Sequence, residues 1–318
     1  MEEKNFDLSQ LYIVDFAKNL FRKKNAMAII YLALNVVIIT LMVQMFEPNF
    51  WLAMLYGLLI YAITATIALS PLGEWYFRLT QGCKKIHDPE ILNRLEPLFM
   101  EVKERAQTKH TDFIIDDKIR LYIINDDSIN AFAMGRRTVC VTYGLLSLSD
   151  EQIKAVLGHE FGHLASHDTE LTLLVTVGNF IITAVVTVFR AILAIYNFIM
   201  GLVGLIMGRD GAIVSIMNSI SHALATLCIN GLMWIWTQLG ILLVMKSSRN
   251  AEFEADAFSC DLGYSDGLLS FFRVLEGLER QSGKKERNNI FAALASSHPD
   301  TSKRIARIVE RSYPALED

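Results

Sequence analysis

The chain has little charge, no excess of positive charge and no paired cysteines, and each shortage removes a class of protein. Lys and Arg number 30 against 34 Asp and Glu, for a net charge of −4, so no basic field argues for a nucleic-acid partner. Four cysteines, Cys83, Cys140, Cys228 and Cys260, are scattered without a C-x-x-C pair. They exclude a disulfide framework and read as reduced thiols facing the cytoplasm or lying in the membrane. Internal repeats and low-complexity stretches are lacking. No cleavable signal peptide is expected, because the opening residues are mixed in character and the apolar run follows them. Charged residues make up 20% of the chain and hydrophobic ones 52%, with a mean hydropathy of +0.32. That balance is too apolar for an ordinary soluble protein and points to membrane spans.

Long apolar runs are what the sequence does have. Ala26–Met45 is broken only by Asn35, Thr40 and Gln44, and Trp51–Leu69 carries no charge. Each is long enough to cross a hydrocarbon core of about 30 Å at about 1.5 Å per residue. Separated only by the connector FEPNF, they predict a transmembrane hairpin over 26–70. Lys18, Arg22, Lys23 and Lys24 precede the pair, Arg78, Lys84 and Lys85 follow it, and the connector has no Lys or Arg. The positive-inside rule then puts the N-terminus and everything after residue 70 in the cytoplasm. In residues 1–25, Phe6, Tyr12, Ile13, Phe16, Leu20 and Phe21 recur at roughly helical spacing. They read either as an amphipathic cytoplasmic helix on the membrane surface or as a frayed tail.

A second apolar region, 171–245, contains Leu171–Phe189 and Thr226–Met245, both near spanning length. Arg190 and His222 within it read as interfacial or snorkelling residues. The segments on either side of this insert must meet, for reasons given below, so the number of crossings is even. Two further transmembrane helices are expected, with a docked re-entrant hairpin as the alternative. Residues 71–170 and 246–318 are left to fold together as one cytoplasmic domain. It should hold a helix around Glu90–Thr108, with Ile91, Leu92, Leu95, Leu98 and Phe99 on one side. Strands are expected at 119–125 and 138–144, joined by DDSINAFAMGRR. Ser149 and Gln152 form a capping-box pattern at the start of another helix, and the chain from about 250 reads as several short helices.

The helix begun at Ser149 carries HEFGH, residues 159–163. On a helix, positions i and i+4 share a face about 6 Å apart along the axis. His159 and His163 can therefore aim two imidazole nitrogens at one ion, the spacing zinc needs. Glu160 can reach a water activated by that ion and take its proton as attack on a carbonyl begins. The pattern alone recurs by chance in roughly one chain in a hundred of this size, and a helix with two surface histidines is the bland alternative. Gly158 and Gly162 would be poor choices for a purely structural helix, costing about 1 kcal/mol each against Ala. His167 is not a third ligand, since a straight helix carries it about 12 Å along the axis from His159; it reads as exposed or as backing the site. SRNAEFEAD (248–256) is the better source. Its Glu252 and Asp256, again i and i+4, offer a ligand and an orienting partner for a ligating histidine. With Glu254 between them they would otherwise read as a solvated acidic face.

The order INAFAMGRR, HEFGH, a hydrophobic insert, SRNAEFEAD and SSHPDTSKRI, behind a leading transmembrane pair, resembles the HtpX-type membrane metallopeptidases. These are relatives of the CAAX prenyl proteases within the gluzincin group, and the resemblance covers nearly the whole chain. It implies a mainly α, integral membrane protein with an α+β zincin-type cytoplasmic catalytic domain and a small sheet next to the HExxH helix. It also implies one Zn2+ per chain held by His159, His163 and Glu252, with Glu160 as general base and Asp256 steadying a ligand, His159. Asn130, Ala131, Phe132 and Ala133, which alone read as an ordinary loop, are similar to an edge strand that pairs with an extended substrate. His298 and Arg304 resemble residues near the substrate carbonyl that stabilise the oxyanion. The long N-terminal extension and Ser166-His167 before Asp168 depart from the usual pattern without touching the catalytic residues.

The implied protein is a multi-pass zinc endopeptidase of the inner (cytoplasmic) membrane. Its catalytic domain faces the cytoplasm, and its polypeptide substrates are membrane proteins handled in quality control under stress. Processing of lipidated peptides is a second reading, disfavoured by the small number of spans. A non-catalytic membrane scaffold is a third, for which Glu160 or a ligand should have been lost.

Overall fold

The structure, a computed structural model, describes residues 26–44, 46–109, 118–281 and 301–313. The expected amphipathic segment at 1–25 and His298 lie outside them. The chain forms two compact units, Met1–Val177 with Leu243–Asp318, and Gly178–Leu242.

In the first unit, α1 (Ala26–Gln44) packs on α2 (Phe50–Ala68). Asn49 starts α2 by accepting from the Trp51 and Leu52 N–H groups, two of the donors a helix N-terminus leaves over. The two helices come close where Gly57 faces Thr40, and Asn35 Nδ2 donates to the Tyr61 hydroxyl at 3.3 Å in their interface. Ser70 caps α3 (Pro71–Gln81), with Pro71 in its first turn and Gly82 closing it in the left-handed conformation. One face of α3 is apolar, and its Phe77 packs edge-on against Phe132, ring centres 5.9 Å apart.

A four-stranded sheet of order β1-β2-β4-β3 follows, from β1 (Lys84–Lys85), β2 (Arg120–Ile124), β3 (Ala131–Met134) and β4 (Thr138–Thr142). β2 and β4 pair in parallel, Leu121 opposite Val139, and β3 lies antiparallel to β4, Phe132 opposite Cys140. The two expected strands thus exist, and the segment that links them is itself a strand. Successive side chains of β4 point to opposite faces. Val139 and Val141 enter the larger core with Leu95, Phe99, Val102 and Ala106 of α4 (Pro89–Lys109) and Ile153, Leu157 and Phe161 of α5 (Asp150–Ala165). Met134 enters a smaller core with Phe77, Ala68 and Leu69 beside the first turns of α6 (Asp168–Ile206), namely Leu171, Leu173, Leu174 and Val177.

The capping box forms at the start of α5 as the sequence predicts, with Ser149 and Gln152 satisfying each other's backbone N–H. α7 (Gly208–Asp261) runs unbroken for 54 residues. The expectation of short helices from about 250 is therefore corrected for SRNAEFEAD, which is the last part of one long helix. No Gly or Pro lies between Gly240 and Asp261 to stop it, and it ends at Gly263, φ +93°. After it come α8 (Ser265–Gln281) and α9 (Thr301–Ser312).

Within the second unit the chain turns between α6 and α7 at Gly208, φ +70°, and the two helices touch near that turn. There Gly204 faces Gly211 and Ser215, and Asn218 donates to Asn197 at 2.6 Å. Among the described residues, three stretches are long and apolar enough to cross a membrane: Phe50–Ala68, Asp168–Gly204 and Gly211–Gly240. Ile29–Gln44 is a shorter apolar helix.

Candidate metal centre

α5 sits at the middle of the first unit and buries nearly every residue from Ala155 to Gly162. The two glycines that lower its helix propensity have a packing reason. A Cβ at Gly162 would stand 2.7 Å from the Ala255 Cα, and one at Gly158 would stand 2.9 Å from Ser259 Oγ. Ser259 Oγ also donates to the Ala155 carbonyl at 2.8 Å. The absence of both side chains lets the end of α7 lie directly on α5, which brings Glu252 to the histidines.

His159, His163 and Glu252 each offer a ligand atom within 4.8 Å of the others, and they are one such group among the described residues. The two Nε2 atoms lie 3.1 Å apart. Glu252 Oε1 is 3.4 Å from His163 Nε2, and its Oε2 is 3.5 Å from His159 Nε2. Donors about 2.0–2.1 Å from a tetrahedral zinc stand about 3.3–3.4 Å from one another, so the triangle has the right size. His159 Nδ1 lies 2.9 Å from Asp256 Oδ1. A proton held there leaves the Nε2 lone pair facing the other two donors. Two imidazole lone pairs and a carboxylate turned towards one point repel one another unless a cation lies between them. The residues present fit a zinc ion.

Glu160, next to the first histidine and 6% exposed, lies between the ligand cluster and the edge strand β3. Its Oε2 accepts the Ala133 N–H at 2.8 Å, so the edge strand and the carboxylate are in direct contact. Asn130 exchanges both of its backbone bonds with Thr142, on the N–H side through the threonine hydroxyl. By the alternation of an antiparallel pair, the backbone groups of Ala131 and Ala133 then point away from β4. The Ala133 N–H is the one taken by Glu160.

Arg304, from α9, is 4% exposed and reaches in behind the ligands. It pairs with Glu252 at 2.9 Å through Nη1, and with both Asp256 oxygens at 2.6 and 2.7 Å. Its guanidinium stacks over Phe272, 4.4 Å from the ring centre. Burial alone would raise the Asp256 pKa, but hydrogen bonds from His159 and Arg304 hold it below the usual carboxylate value. Burial would also lower both histidines, yet each is held above its ordinary value. His159 is raised by Asp256 and Glu252, and His163 is pushed up to about 10 by Asp168 and Glu252. The carboxylates therefore outweigh the one guanidinium, and the site favours positive charge between the rings.

His167, read as exposed or as backing the site, ends α5 with φ +60° and places Nδ1 3.1 Å from Glu170 Oε1. Three residues around the site carry roles that sequence reasoning missed. Glu170, fully buried, pairs with Arg136 at 2.6 Å. Glu74 accepts the Arg136 N–H at 2.7 Å and the Thr138 hydroxyl at 2.9 Å, which fastens the β3–β4 turn to α3. Asp168 lies beside His163. A lone acid at the edge of an apolar run was the only signal for any of them.

A helix-borne H-E-x-x-H whose histidines meet a glutamate from a later helix is the donor set of the His2Glu metallopeptidases. Residues 94–312 match the family described as Peptidase family M48, well over half of the chain, and the chain belongs to that family. Among its relatives is the protease HtpX homolog of Pediococcus pentosaceus, 36% identical over 208 residues, which are 63% of this chain and 64% of that one. Protease HtpX of Idiomarina loihiensis is 26% identical over 254 residues, 76% of this chain and 80% of its own. The homolog of Lactobacillus acidophilus is 29% identical over 206 residues, 59% of this chain and 66% of its own. The chain thus spans a little under two thirds of the length of several of these curated relatives. The resemblance to the HtpX-type metallopeptidases read from the motifs holds.

Proposed function

We propose that the protein is a membrane-embedded zinc endopeptidase, with His159, His163 and Glu252 as ligands. The observation that carries this reading is the convergence of those three donors beside a buried Glu160 that touches an edge strand. Zinc, when bound, polarises the substrate carbonyl and brings the pKa of a coordinated water to about 7. Glu160 accepts the proton of the attacking water and passes it to the leaving amine nitrogen as the C–N bond breaks. Asp256 holds the His159 ring by its Nδ1–H. Ala131, and Ala133 through its carbonyl, with Asn130 and Phe132 completing the strand, hold an extended polypeptide by main-chain bonds with little sequence preference.

His298 keeps the oxyanion role that the resemblance implies. For Arg304 the geometry supports another task. Its nitrogens lie on Glu252 and Asp256, so it positions those two carboxylates and does not reach for the substrate.

The substrates proposed are membrane proteins, met at the bilayer surface at high effective concentration, in a quality-control role like that of HtpX-type enzymes. Three apolar stretches long enough to span and the names of the relatives support a multi-pass membrane protein. The distribution of Lys and Arg about the first hairpin supports a cytoplasm-facing site. The test is zinc content and casein cleavage of detergent-solubilised protein. About one zinc per chain is expected, with cleavage that disappears in Glu160→Gln while zinc stays. Cleavage by that variant at the wild-type rate would sink the mechanism.

A further inference from the structure

Each ligand histidine has a carboxylate facing its Nδ1, one in hydrogen-bond contact and one further off, although only the first was visible in the sequence. His159 has Asp256 on its Nδ1, from the end of α7. His163 turns Nε2 to the other donors and Nδ1 to Asp168 Oδ2, at 3.9 Å. A straight helix would not allow this. Five residues on, Asp168 would lie about 7.5 Å further along the axis and roughly 140° round from His163.

The backbone breaks at His167, whose φ of +60° lies in the left-handed region that residues other than Gly adopt uncommonly, Asn, Asp and His more than most. The break turns the first residue of α6 back along α5. Ser166 secures the turn: its hydroxyl lies 3.2 Å from the His163 carbonyl and donates to Asp168 Oδ2. Strain retained beside a site suggests a function for the geometry that it maintains.

We propose that Asp168 is a positioning residue for the metal site: its carboxylate, facing His163 Nδ1 at 3.9 Å, favours the tautomer with the proton on Nδ1 and so leaves Nε2 for the ion. The first residue of the apolar helix α6 is thereby tied to the ion, as the end of α7 is through Glu252 and Asp256. A carboxylate behind a ligating imidazole raises the basicity of the ligand, and losing one costs about 10–100-fold in metal affinity.

The inference rests on His159, His163 and Glu252 being the ligand set, and the experiment separates the two. Full-length wild type, Asp168→Ala, Asp168→Asn and Asp256→Asn are titrated with Zn2+ against a fluorescent chelator, and the metal-free melting temperature of each is recorded. Asp168→Ala is expected to raise the zinc Kd by about 10–100-fold. Asp168→Asn, which keeps an acceptor but not the charge, should fall between it and wild type. Both should lower the metal-free melting temperature only slightly, through the lost Ser166 bond, while the loss in zinc affinity is far larger. A purely structural acid in the first turn of α6 would do the reverse, lowering the melting temperature and leaving Kd alone, and that result overturns the proposal. So does an Asp168→Ala variant that binds zinc as tightly as wild type. A wild type that takes up no zinc overturns the ligand assignment itself, and this inference with it.

Discussion

The metal centre and the Gly178–Leu242 unit invert each other's surface chemistry. Around His159 and His163, the side chains of Glu160, Glu252, Asp256 and Arg304 are all buried. In the other unit large apolar side chains face outward, among them Leu227 at 68% exposed and Trp234 at 61%. Each arrangement would be costly in the other's setting. Buried charges survive because they lie within ion-pair distance of one another and of a cation site. Outward leucines over two helices exceed the few hundred Å2 of continuous apolar surface that a soluble monomer tolerates. The same rule, that every group needs a matching neighbour, gives opposite patterns because the neighbours differ: in the proposed reading, protein and metal in one case and hydrocarbon in the other.

The comparison can be broken at its strongest point first. Glu160→Gln should lower cleavage by about 10²–10⁴-fold without lowering zinc content, whereas Glu252→Ala should lose both; activity and metal analysis on the same preparations decide it. Arg304→Met comes next. It leaves Glu252 and Asp256 buried without their cation, at a cost of about 3–5 kcal/mol in the metal-free protein. Zinc should restore part of that loss, because it supplies the missing positive charge, and denaturant midpoints with and without zinc measure the restoration. In the apolar unit the reciprocal change is Leu227→Arg, near the middle of Gly211–Gly240. Insertion of that segment by a translocon assay should become less favourable by about 3–4 kcal/mol. An unchanged inserted fraction would argue that hydrocarbon does not cover this face.

What could be read in the sequence follows from how local each interaction is. His159 and His163 share a face by helix geometry alone, and the capping box lies within four residues, so both were legible. Glu252 was legible only because it sits in a second acidic pattern one turn from Asp256. The long α7 could have been read from the absence of Gly and Pro over 241–261, but the charged cluster there suggested a boundary. β3 was legible only through the family resemblance, because its four residues, Ala131–Met134, sit between turn formers and read as a loop on their own. Asp168 was hidden because its position depends on a left-handed histidine, which sequence reasoning continues as helix. Glu74 finds Arg136 across 62 residues, and no local pattern announces such a pair.

Gly162 offers the finest test, because propensity and packing predict opposite signs. On helix propensity alone, Gly162→Ala in α5 should stabilise by about 1 kcal/mol. Packing forbids it. The new methyl would lie 2.7 Å from the Ala255 Cα and 3.1 Å from its Cβ, and a backbone atom cannot swing aside as a side-chain tip can. The end of α7 would have to move away from α5, at about 1–3 kcal/mol for overpacking, and Glu252 would move with it. A lower melting temperature together with weaker zinc binding is the expected result, since one displacement causes both. A lower melting temperature with unchanged zinc affinity would show instead that the strain is absorbed locally, and that close contact at Gly162 does not set the position of Glu252.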